Sequence, residues 1–154
     1  MADSIPQSRR GLARRLTVQA LYQWLVNETP PEAMLRQFRE DPEGLGRADA
    51  DYFNTLLRGT VADVEQMDAM IQPLLDRPLE QLDPVEHAVL LLGAYELNHR
   101  LEVPWKVVVN EAVNLAKLFG AEDGFKFVNG VLDKLAHTVR TVETGTASPW
   151  TNSR

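Results

Sequence analysis

The chain has no cysteine, which excludes a disulfide framework, a thiolate nucleophile and a zinc–thiolate site. Its three histidines, His87, His99 and His137, stand at no metal-ligand spacing. No apolar run approaches the ~18 residues that a membrane-crossing helix needs. The opening MADSIPQSRR has none of the apolar character of a secretory signal, and a reducing, cytoplasmic setting fits. No glycine-rich phosphate loop follows a strand pattern, and there is no G-x-S-x-G elbow. Carboxylates are plentiful, but composition alone cannot make two of them a catalytic pair. An enzyme is therefore not expected, nor is a metal or a cofactor.

What is present is charge, unevenly spread over a chain with a formal net charge of −6. Residues 1–27 carry Arg9, Arg10, Arg14 and Arg15 against Asp3 alone, a net of +3. From Glu28 to Glu102 there are 16 acids and 6 bases, and from Val103 to Arg140 the balance is close to neutral. Such asymmetry points to an anionic partner at one end and a different kind of partner elsewhere.

Every long segment has a helical period, and none alternates like a strand. Ser8 can cap a first helix running to about Asn27, with Leu12, Leu16, Ala20 and Trp24 on one apolar stripe and Val18, Leu21 and Leu25 on a second. Thr29-Pro30-Pro31-Glu32 has capping-box spacing and opens a short helix to about Arg39. After the DPEGLG break, a long helix carries Tyr52, Phe53, Leu56, Leu57, Val61, Val64, Met67, Ile71 and Leu74. A bend is expected at Gly59, and Pro73 and Pro78 end the helix. Asp83-Pro84-Val85-Glu86 repeats the cap, proline and glutamate arrangement for a helix to about His99. Pro104 opens the next helix, which Gly120 is expected to close in the left-handed conformation. A last helix follows Asp123 and runs to about Arg140, with Phe125, Val128, Leu132, Leu135 and Val139 spaced for burial. Asn129 and Gly130 read as packing features, the glycine permitting close helix approach. The expected fold class is all-α, six to seven helices in short-looped bundles. Residues 1–8 are expected to be flexible, 9–140 to form one domain with sub-bundles 9–77 and 83–140, and 141–154, including Trp150, to be a disordered tail.

The four arginines occupy the first two turns of their helix, where the macrodipole disfavours cations by about 0.3–1 kcal/mol each. Arg10 and Arg14 share a face, Arg9 and Arg15 flank it, and no acid lies within helical reach. A bound anion removes the cost, and guanidinium groups suit phosphate and stacked bases. The other reading is a solvated basic face, or pairing with acids from elsewhere in the chain.

ARRLTVQALYQW (13–24), VPWKVVVNEAVNLAKLFGAED (103–123) and KFVNGVLDKL (126–135) together resemble the bacterial transcription antitermination factor family NusB. The first stretch is weak evidence. The run from NEAV to KFVNGVLDKL is long and specific, and the resemblance covers roughly residues 9–140. It implies two helical bundles packed across each other and a non-enzymatic protein. It also implies binding to the boxA element of nascent ribosomal RNA leaders together with NusE, a small-subunit ribosomal protein. The pair helps RNA polymerase read through terminators within an elongation complex that holds other Nus factors. In some relatives a homodimer hides the arginine surface. Helical domains fused to ribosomal RNA cytosine methyltransferases are similar and supply an alternative, though no cofactor-binding α/β domain is expected here. A protein-only adaptor using the acidic face is a second alternative.

Carried over by position, the RNA-facing residues implied are Arg9, Arg10, Arg14, Arg15, Tyr22, Asp123, Lys126 and Phe127, and the NusE-facing residue is Glu86. The arginines form two pairs split by Gly-Leu-Ala, a departure from the denser run of many relatives. Each residue also has a plain structural reading. Tyr22 fits a buried tyrosine as well as a base contact, and Lys126 a solvated lysine. Phe127 is freer to stack on a base if Phe125 and Val128 form the buried pair. Asp123 can cap the last helix, and Glu86 can close its own capping box.

Overall fold

The computed structural model describes residues 8–41 and 43–146. The expected flexibility of residues 1–7, and the tail from residue 147 with Trp150, lie outside the described residues. Within them the chain forms eight α-helices and no strand: α1 (Arg9–Asn27), α2 (Pro31–Glu40), α3 (Ala50–Ala62), α4 (Val64–Ile71), α5 (Pro84–His99), α6 (Trp105–Phe119), α7 (Gly124–Val139) and α8 (Thr141–Thr144). The all-α expectation holds, with more helices than the six to seven anticipated.

Of the extra helices, one comes from the long third segment, which breaks at Asp63, not at Gly59. Asp63 closes α3 and opens α4, with its amide donating to the Gly59 carbonyl at 3.1 Å. Gly59 serves packing instead, because a β-carbon there would fall 2.2 Å from the Tyr95 hydroxyl. The other is α8, at the start of the expected tail. Its Glu143 accepts from the Trp105 amide at 2.7 Å and from Arg140 at 2.5 Å.

Helix starts follow local chemistry only in part. Ser8 accepts from the Gly11 amide at 2.8 Å, and Asp83 accepts from Val85 at 2.7 Å. Asp49 caps α3 through the Tyr52 amide at 3.0 Å. The Thr29 capping box does not form: Pro30 is the cap residue of α2 and no side chain bonds its first amides. Gly120 closes α6 in an extended conformation (φ −93°). Glycine is needed there because a β-carbon would meet the Ala116 carbonyl at 2.7 Å. Among the described residues, the left-handed ones other than glycine are Glu28 and Asp123.

Helix α5 is buried continuously from Ala88 to Leu97, which makes it the central element, in contact with α1, α3, α4, α6 and α7. A helix apolar all round is stable only when so enclosed. Truncating Leu90, Leu91 or Leu92, each essentially without exposure, would cost about 2–5 kcal/mol by cavity formation. The close-approach glycine is Gly93, whose β-carbon would lie 2.6 Å from Leu132. Gly130 has nothing within 4 Å, and Asn129 beside it is exposed, so neither is a packing feature. On α1 the buried line runs through Ala13, Thr17, Val18, Ala20 and Leu21. Leu12, Leu16 and Trp24 sit at its partly covered edge. The buried face is thus rotated from the expected stripe, and that rotation carries Arg14 inward.

Candidate functional site

The four arginines of α1 are not equivalent. Arg14 is 4% exposed and its Nε donates to both oxygens of Glu96 on α5, at 2.9 and 3.0 Å. Glu111 on α6 stands 3.7 Å from the same guanidinium. Burial alone would ease its proton loss, but the bonds and charge of Glu96 outweigh burial and hold Arg14 above its ordinary value. Glu96, 1% exposed, also accepts from the Tyr52 hydroxyl. Burial, followed by the Glu96 charge and hydrogen bond, pushes the Tyr52 phenol well above its ordinary value. Arg14 is therefore engaged inside the protein and does not present its guanidinium to a phosphate. The sequence carries a signal for this: Arg14, Val18 and Leu21 share one helical face, so the arginine continues the second apolar stripe.

The other three remain near solvent. The Arg9 Nε donates to the Arg47 carbonyl at 3.3 Å on the surface. Arg10 lies over the Tyr52 ring, 4.0 Å from its centroid, and reaches Glu102 at 3.7 Å. Arg15 is half-buried, its Nε covered and without a hydrogen-bond partner among the described residues. Two turns along the same face, Tyr22 is 41% exposed. It lines an open groove of ≈ 300 Å³ with Val18, Gln19, Val85 and Phe119. Tyr22 is therefore not the buried tyrosine of its structural reading. The groove joins α1 to the end of α6, beside the turn that leads into α7.

At that turn Asp123 and Lys126 are both exposed and face one another, Nζ to carboxylate 3.5 Å. Asp123 is left-handed (φ 70°), and its side chain makes no capping bond. The expected cap is absent because in that conformation the carboxylate is not aimed at the first-turn amides. Phe127 is half-buried, with the Arg77 guanidinium 4.4 Å from its ring centroid. Phe125 is also only half-buried and lies 4.7 Å from the Lys117 ammonium. Val128 alone of the expected pair is fully enclosed.

Glu86 is 8% exposed and makes no hydrogen bond back to the start of its helix. The expected capping box is replaced by Asp83 acting alone. The Glu86 carboxylate sits against Gly124, where an added β-carbon would come within 2.5 Å. Burial, and next the charge of Asp83, raise the pKa of Glu86, with Arg77 opposing. A residue that pattern reasoning missed is Arg140, 5% exposed. It donates to the carbonyls of Glu96, Leu97, Arg100 and Val103 at 2.7–3.2 Å. It thereby satisfies the open C-terminal end of α5. No group of His, Asp and Glu able to hold a metal occurs among the described residues, and no described helix is long and apolar enough to cross a membrane.

Comparison with known proteins adds independent information. The transcription antitermination protein NusB of Ralstonia nicotianae is 49% identical over 138 residues, 90% of this chain and 88% of that protein. The corresponding protein of Cupriavidus pinatubonensis is 47% identical over 92% of this chain and 84% of its own length. T. maritima NusB superposes with a TM-score of 0.75 at 26% identity, covering 92% of this chain and 99% of that one. A crystal structure of antitermination factors NusB and NusE in complex with dsRNA matches with a TM-score of 0.69 at 26% identity, covering 84% and 97%. The family model described as NusB family matches residues 12–137. By that span, and by relatives near half identical over nine-tenths of its length, the chain belongs to the NusB family.

Proposed function

We propose that this protein is an RNA-binding transcription antitermination factor. With NusE it binds boxA-type RNA of ribosomal RNA leader transcripts, and it promotes read-through by RNA polymerase in a cytoplasmic elongation complex with other Nus factors. The observation that carries the reading is membership of a family whose relatives are named antitermination proteins and whose fold is solved with NusE and dsRNA. The role is binding, without catalysis. Arg9, Arg10 and Arg15 supply the phosphate-facing charge, and Arg14 holds their helix in place from inside. Tyr22 and Phe127 offer ring faces to unstacked bases, with Lys126 adding charge at the far turn. The start of α5 is the NusE-facing region, where Glu86 answers a basic group of the partner along its remaining open edge.

A gel-shift series with single-stranded boxA, a scrambled strand and a duplex of the same sequence, each with and without NusE, tests this. Preferential binding of boxA, strengthened by NusE, is expected. A preference of about twofold or less over the scrambled strand would leave only a nonspecific polyanion binder.

A further inference from the structure

The surface beside Arg10 contains a second arginine, far away in sequence. Arg100 closes α5, and its guanidinium stands 5.3 Å from the Tyr52 ring centroid, on which Arg10 also converges at 4.0 Å. The buried arginine near the same ring, Arg14, is paired with Glu96 and Glu111. The two outer arginines share a single carboxylate, Glu102, at 2.8 Å from Arg100 and 3.7 Å from Arg10. That carboxylate belongs to the exposed turn after α5, its side chain 52% open to solvent. The Arg100 Nε is covered and has no partner among the described residues. Two guanidinium groups, one from α1 and one from the residue that closes α5, both near one aromatic ring and bridged by an exposed carboxylate, have the donor arrangement that a phosphodiester uses.

We propose that Arg10 and Arg100 form a phosphate seat for single-stranded RNA, and that Glu102 occupies it in the free protein as a carboxylate the RNA must displace. Arg100 is then an RNA-contacting residue outside the α1 cluster. Glu102 sets how tightly that end of the surface binds, because each bound phosphate first breaks an existing ion pair. Its removal frees both guanidinium groups without touching the core. The inference rests on the reading of this face as RNA-binding.

The experiment is a salt titration of RNA binding by the full chain, using a single-stranded boxA RNA. Four forms are compared: the parent, Glu102→Gln, Arg100→Gln and the double variant, each checked for native helix content and cooperative melting. Glu102→Gln is expected to tighten binding roughly two- to fivefold, the size of an exposed ion pair. Arg100→Gln is expected to weaken binding and lower the salt slope by about one. In the double variant the gain from Glu102→Gln should shrink to that of a remote control, Glu65→Gln on the exposed face of α4. Equal gains from Glu102→Gln and Glu65→Gln would show a general charge effect and overturn the seat, as would a gain undiminished by loss of Arg100. A parent protein that binds no RNA would instead defeat the functional reading itself. Because Glu102 is exposed and caps no helix, its variant keeps the test decisive even if Arg100→Gln proves unstable.

Discussion

Helix α5 carries one buried glutamate near each end, and the two are held in opposite ways. Glu96, near the C-terminal end, receives both Arg14 hydrogen bonds and the Tyr52 hydroxyl. Glu86, in the first turn, receives no side-chain hydrogen bond and rests against Gly124, with Arg77 nearby. A buried charge is tolerable when paired and hydrogen-bonded, and costly when not. The Glu96 end is thus a finished structural joint that orients the arginine helix. The Glu86 end lacks any such hydrogen-bonded partner among the described residues. The same residue type on the same helix is a hydrogen-bonded fixture at one end and a carboxylate without a hydrogen bond at the other.

The strongest way to break this comparison is Arg14→Ala. It strands Glu96 in the core and should lower stability by about 3–5 kcal/mol in urea unfolding. A loss below about 1 kcal/mol would make Arg14 an ordinary surface arginine. At the other end of α5, Phe127→Ala removes a ring that faces Arg77, and should weaken RNA binding by about 1–3 kcal/mol if a base stacks there. Filter binding on a variant of unchanged melting temperature decides it, since unaltered affinity would assign the ring to packing alone.

Glu86→Gln sharpens the contrast through pH. The folded carboxyl has a raised pKa, so ionising it costs stability above that pKa. Below the unfolded value, about 4.3, both states are protonated and the cost vanishes. The variant should therefore melt higher than the parent at pH 7, with the difference closing as the pH falls to about 4. A lower melting temperature at pH 7 would mean that the carboxylate is satisfied as it stands. Smallest in stability is Arg10→Ala, expected to change folding by less than about 1 kcal/mol. It should still lower the salt slope of RNA binding by about one. Comparable destabilisation by Arg10→Ala and Arg14→Ala would erase the distinction between outer and inner arginines.

The caps at Ser8 and Asp83, the start at Pro104 and the apolar faces of α5 and α7 were legible from the chain, because each depends on residues within a turn or two. The Thr29 and Glu86 boxes were misread: motif spacing allows a reciprocal bond but does not compel it, and here Pro30 and the packing of Gly124 on Glu86 prevailed. Tyr22 read equally as a buried ring or a base contact, and its opening into a groove with Phe119 needed the approach of α6. Arg140 carried no local signal at all. Its partners are backbone carbonyls some forty residues upstream, and backbone groups look alike in every sequence.

The amino-acid order by itself determined an all-helical chain, the basic character of its first helix and the family resemblance carried by residues 103–135. These rest on periodicity, charge and motif, which are properties of neighbouring residues. Only the tertiary structure decided which of the four arginines stay near solvent and which one faces Glu96, 82 residues away. A helix fixes the angle between its side chains but not which face its neighbours will cover, and that face determines whether a guanidinium meets a phosphate or a buried carboxylate.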